Sequence, residues 1–186
     1  MTEPWSSARS IVVLACLLAH APLFSSGQPR LPAGPDFSLN SPSFQPNGEI
    51  PARFSCGGAD LSPAVIWTEP PAGAASFALI MDDPDAPGGV FTHWLIYDLP
   101  ANLRQLPEGV RASAGPPGTR QGRNGFGREG YNGPCPPPGP THRYFFRLYA
   151  LDKMLNLPPG TSKDKLLRAM KGHVLAQAEV VGRFAR

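Results

Sequence analysis

The run HRYFFRLYALD, residues 142–152, is the stretch that most limits the fold. Tyr144, Phe146, Leu148 and Ala150 fall on one side of a period of two, and Arg143, Phe145, Arg147 and Tyr149 on the other. That alternation makes a half-buried strand and cannot make an amphipathic helix. Other apolar runs offer it partners: FSLNSPSF (37–44), NGEIPARFSC (47–56, its Asn47-Gly48 a turn signal), AVIWTEPP (64–71), Phe77 to Met81, VFTHWLIYDLP (90–100) and AQAEVVGRFAR (176–186). The 24 prolines and 20 glycines are spread between these runs without a repeat, where they break helices and shape turns. One helix is expected, from Lys163 towards Leu175. It is capped by Thr161 or Ser162, carries Asp164 in its first turn, and has Leu166, Leu167, Met170 and Val174 as its apolar face. With 186 residues, one domain can bury a core. The expected fold is mainly β, an antiparallel β-sandwich with a late helix.

The first 27 residues read as an export signal. Arg9 precedes an apolar run from Ile11 to Phe24, too short for a stable membrane span, and Ser25 and Gly27 supply the small residues of a cleavage site after Gly27. Cleavage after Ala21, acylation at Cys16 and an uncleaved anchor are the alternatives. Residues 28–35 read as a linker and 36–186 as the domain, placed in the periplasm or secreted. Cleavage removes one basic and one acidic residue, Arg9 and Glu3, so the net charge stays at +3. No Lys/Arg cluster with interleaved aromatics points to nucleic acid. Export leaves Cys56 and Cys135, which form either a disulfide or two buried thiols.

The chemistry-bearing residues lie in two segments, 77–100 and 130–152, each joining a Pro/Gly loop to a strand with a histidine at the junction: His93 and His142. DDPDAP holds Asp83 and Asp85 around Pro84, so both carboxylates are expected on a stiff loop. Taken singly, the aspartates are accounted for by turn hydrogen bonds and the histidines by satisfied core positions. Taken together, two histidines beside a proline wall can bind phosphate or carboxylate oxygens when at least one ring is protonated, with Tyr144 adding a hydroxyl. Metal-ligand spacing such as HExxH is absent, as is the G-x-S-x-G elbow of a serine hydrolase, so no cofactor and no catalytic motif is read. The glycine-rich segment 101–130 is expected to be functional or mobile.

DPDAP at 83–87, THW at 92–94, GPCPP at 133–137, HRYFFRLYALD at 142–152 and the closing LLRAMKGHVLAQAEVVGRF resemble the phosphatidylethanolamine-binding protein family, in its bacterial Raf kinase inhibitor-like branch. The resemblance spans residues 36–186. It implies a Greek-key sandwich of two antiparallel sheets and a pocket for phosphate, phosphorylethanolamine, acetate or similar anions. By motif, that pocket would be built from Asp83, His93, Pro134, Cys135, Pro136, His142 and Tyr144, with Asp85 holding the loop. Eukaryotic members carry two consecutive histidines where this chain has Thr92-His93, so their kinase and phospholipid roles do not carry over. The expected function is therefore an exported, regulatory small-anion-binding protein, meeting a membrane only through a lipid headgroup or an uncleaved signal. Two readings stand beside it: a protease or kinase inhibitor acting on a protein target through the 101–130 loop, and an enzyme of unknown chemistry using the histidine pair.

Overall fold

The structure is a computed structural model that describes Met1, residues 37–111 and residues 115–186. The signal and linker expectations for residues 1–35 otherwise lie outside the described residues. Two antiparallel sheets form the domain. The smaller contains β1 (Leu39–Asn40), β2 (Val65–Trp67) and β5 (Gln105–Leu106), in the order β1-β2-β5. The larger contains β3 (Ser76–Asp83), β4 (Phe91–Pro100), β6 (Arg120–Gln121), β7 (His142–Leu151) and β8 (Val174–Phe184), in the order β6-β4-β3-β7-β8. Strands β3, β4 and β6 are successive neighbours, and β7 returns by a long connection to lie beside β3, which is the Greek-key order.

Strand β7 alternates as its sequence requires: Tyr144, Phe146, Leu148 and Ala150 are fully buried, whereas Arg143 is exposed. Strand β3 does not alternate, because the large sheet is covered on both faces. Phe77, Leu79 and Met81 pack towards the small sheet with Val65, Trp67 and Leu106. Ala78 and Ile80 pack on the other face with Leu166 and Met170 of the helix α1 (Lys163–Met170). The helix is shorter than its apolar pattern suggested. Gly172 takes φ +81 and the His173 amide bonds back to the Met170 carbonyl, so Val174 opens β8 instead. Leu167 stays exposed.

One further expectation is corrected. NGEIPARFSC is not a strand: after Pro51 the chain forms a 3-10 turn over Ala52–Phe54, which buries Phe54. The segment 101–130 is tied down among the described residues, since β5 pairs with β2 in one sheet and β6 pairs with β4 in the other. Cys56 and Cys135 form a disulfide, with Cα atoms 5.4 Å apart.

Candidate functional site

Strand β3 runs on to Asp83, two residues beyond the apolar stretch, so this carboxylate is set by sheet register and not by a loop. The alternation of the strand separates the two aspartates. Asp82 turns to the helix side, where Lys163 Nζ donates to both its oxygens at 2.7 and 2.8 Å and Thr92 Oγ1 donates at 2.8 Å. Asp83 turns to the opposite side. Its Oδ1 accepts the Asp85 amide at 2.8 Å, and its Oδ2 accepts His142 Nδ1–H at 2.8 Å, both side chains being about 95% buried (4% and 5% exposed).

The outer carboxylate fixes this arrangement. Asp85 accepts the Arg143 amide at 2.9 Å, Nε at 2.9 Å and Nη2 at 2.7 Å, which locks the DPDAP turn to the first residues of β7. The Arg143 guanidinium holds the Asp85 carboxyl down at a pKa of about 2. Asp85 is thus a clamp on the turn and is not among the cavity-lining side chains.

The second histidine comes from β4. His93 Nδ1–H donates to the Asn132 carbonyl at 2.8 Å, and the Asn132 amide donates to the His93 carbonyl at 3.1 Å. Burial pushes the His93 pKa down; the Asn132 carbonyl and the Asp83 charge pull against that without reversing it. Asp60 in turn accepts Asn132 Nδ2 at 2.8 Å and the Gly133 amide at 2.6 Å, while Asn124 Nδ2 donates to Asn132 Oδ1 at 2.9 Å. A Cβ at Gly133 would overlap the Phe54 carbonyl, so only glycine lets this wall approach the 3-10 turn. The disulfide and the bond from the Cys56 amide to the Pro134 carbonyl, at 3.1 Å, complete the attachment.

These elements enclose a cavity of about 170 Å³. Asp83, His93 and His142 form its polar end. Ala86 and Pro87 form one wall, Cys135, Pro136 and Pro137 a second, and Phe91 and Phe126 a third. Besides Asp85, two more of the residues named from sequence stand off it. Pro134 serves through its carbonyl, and Tyr144 backs the His93 ring, with centroids 5.2 Å apart. The Tyr144 hydroxyl is buried, and burial, followed by the Asp83 charge, raises its pKa. Sequence reasoning missed Asp60, Asn132, Phe91 and Phe126. Only Phe126, the one apolar residue between Gly125 and Gly127, carried a visible signal.

Residues 40–185 match the phosphatidylethanolamine-binding protein family. The chain belongs to that family. A UPF0098 protein of Methanothermobacter thermautotrophicus is 49% identical over 150 residues, covering 80% of this chain and 99% of its own length. LppC of Mycobacterium tuberculosis, which is named a lipoprotein, is 40% identical over 154 residues, covering 82% of this chain and 74% of its own. The solved structure of YbcL from E. coli, described as a member of the mammalian PEBP family, superposes with a TM-score of 0.77 at 30% identity, covering 81% of this chain and 99% of that one.

Proposed function

We propose that this protein binds a small oxyanion headgroup, phosphate-like or carboxylate, in the cavity between Asp83, His93 and His142. One observation carries the reading. Both histidines line one walled cavity, with Nδ1 of each tied to a protein acceptor. At about 170 Å³ the cavity is smaller than the roughly 300–1,000 Å³ sites of drug-sized ligands, which suits a headgroup and not a nucleotide. The glycine-rich segment contributes Phe126 to the wall, so pocket building accounts for it without an inhibitory contact. Calorimetry with phosphate, phosphorylethanolamine and acetate should give sub-millimolar binding for at least one, abolished by His93→Ala and by His142→Ala. Absence of any binding at millimolar ligand overturns the reading.

Export to the periplasm or the medium is part of the same proposal. It is supported by Arg9, the apolar run and the small residues before Gln28, by a disulfide of the kind that persists in oxidising compartments, and by the lipoprotein name of a relative. Mass spectrometry of the protein made from the full chain should find it outside the cytoplasm, beginning at Gln28. A full-length chain retained in the cytoplasm defeats the export assignment.

A further inference from the structure

We propose that the bound oxyanion carries a short, uncharged apolar substituent, and that Phe126 is the residue that selects it. The inference rests on the anion-pocket reading and adds the class of ligand to it: a short-chain alkyl ester of phosphate or a short-chain carboxylate. The cavity is graded in polarity from its inner end to its mouth. Asp83, His93 and His142 are only 3–4% exposed. Pro87, Phe126 and Pro137, which line the same cavity, are exposed. An anion seated against the histidines therefore points whatever it carries outward, past this apolar collar.

Phe126 is held in the collar by its own turn. Asn124 Oδ1 accepts the amides of Phe126 and Arg128 at 3.0 and 3.1 Å, and the Gly127 amide donates to the Asn124 carbonyl at 3.0 Å. Gly125 lets the turn lie against Phe91, since a Cβ there would stand 2.6 Å from that ring. The Phe126 ring meets Phe91 and His93 edge to face, with centroids 4.8 and 5.6 Å apart. Even so, Phe126 is 43% exposed. A lone surface phenylalanine asks for no explanation, but one fixed beside two exposed prolines at the opening of a cavity is apolar surface that a ligand can cover.

Size and charge narrow the substituent. A cavity of about 150 Å³ takes a benzene ring, so one of about 170 Å³ is larger than a bare oxyanion needs. Among the described residues its one lining carboxylate, Asp83, already accepts the Asp85 amide and His142, and Asp85 is paired with Arg143. An ammonium on the substituent would give up water against proline rings with no free carboxylate to receive it. A ring face at an exposed site repays little of that loss. A methyl group in the same place has no such loss and covers Phe126.

The test is calorimetry on the wild-type protein at pH 8, where phosphate monoesters, with a second pKa of about 6, are dianions. Methyl phosphate, n-propyl phosphate and phosphorylethanolamine are compared, and acetate with butyrate makes the same comparison for a carboxylate. The longer member of whichever pair binds should bind ~10-fold or more tightly than the shorter, since each buried methylene contributes about fourfold. Phosphorylethanolamine, which has an ammonium where n-propyl phosphate has its terminal methyl, should bind at least ~4-fold more weakly than n-propyl phosphate. Phe126→Ala should cut the long-to-short ratio below about threefold, and Phe126→Leu should restore most of it. A general loss of structure would weaken both members alike and leave that ratio unmoved. If the two members of the binding pair lie within about twofold, or phosphorylethanolamine matches n-propyl phosphate, the inference is overturned while the anion pocket stands. If Phe126→Ala keeps the wild-type ratio, the selecting role of Phe126 is overturned. If no phosphate and no carboxylate binds, the pocket reading itself fails and takes the inference with it.

Discussion

Replacing Cys56 and Cys135 together by alanine lowers the unfolding free energy by about 4 kcal/mol. The bond closes a loop with a sequence separation of 79. A cross-link of that span removes loop-closure entropy from the unfolded chain worth roughly 4 kcal/mol at 25 °C. The native arrangement has other supports, in the Cys56 amide on the Pro134 carbonyl and in Asp60 on Asn132 and Gly133, so the loss falls on stability and not on fold. Urea titrations of the oxidised domain and of the double variant measure the difference directly. In a domain of this size it corresponds to a melting temperature lower by about 10 °C. The same shift should follow from adding a reductant to the wild type. A change below about 1 kcal/mol in both experiments is the outcome that contradicts a structural disulfide.

Asp83→Ala is expected to cost about 3 kcal/mol and to abolish phosphate binding. Removing one member of a buried ion pair costs about 3–5 kcal/mol, because its partner is left desolvated and unpaired. Here the lower figure of that range is taken. The substitution also strips the Asp85 amide of its acceptor, loosening the turn that Arg143 clamps. Asp83→Asn separates the two contributions. Its amide oxygen can still accept the Asp85 amide, while its NH₂ meets His142 Nδ1 as a donor and so moves the ring hydrogen to Nε2. Asn should recover most of the stability by chemical denaturation and show an altered His142 tautomer by nitrogen-15 shift. If Asp83→Ala unfolds within 1 kcal/mol of wild type and binds phosphate unchanged, the pair supports neither the fold nor the site.

The contrast between these two experiments shows where sequence reading succeeds. His93 and His142 stand in local patterns, two strand beginnings, and local patterns survive folding, whereas Asp83, expected on a stiff loop, ends β3 instead. The disulfide was one of two open alternatives, because the approach of Cys56 to Cys135 depends on how the 3-10 turn at Ala52–Phe54 packs against Gly133. That turn has strand-like composition in Ile50 and Phe54, but Pro51 between them ends the extended run. Asp60 and Asn132 had no signal at all. One works through a carboxylate on two distant amides and the other through its backbone carbonyl, which every residue possesses.

By itself the sequence determined the antiparallel sheet, the buried face of β7 and the late helix. Each is written in a periodicity or a turn residue acting over a few neighbours. Tertiary structure alone decided that the large sheet is covered on both faces, and that Asp82 and Asp83 part to opposite sides of it. It also decided that Asp85 clamps a turn instead of facing the cavity, and that His93 Nδ1 meets the Asn132 carbonyl. Those outcomes depend on which distant backbone atom or side chain arrives opposite each group, and packing sets that where periodicity does not.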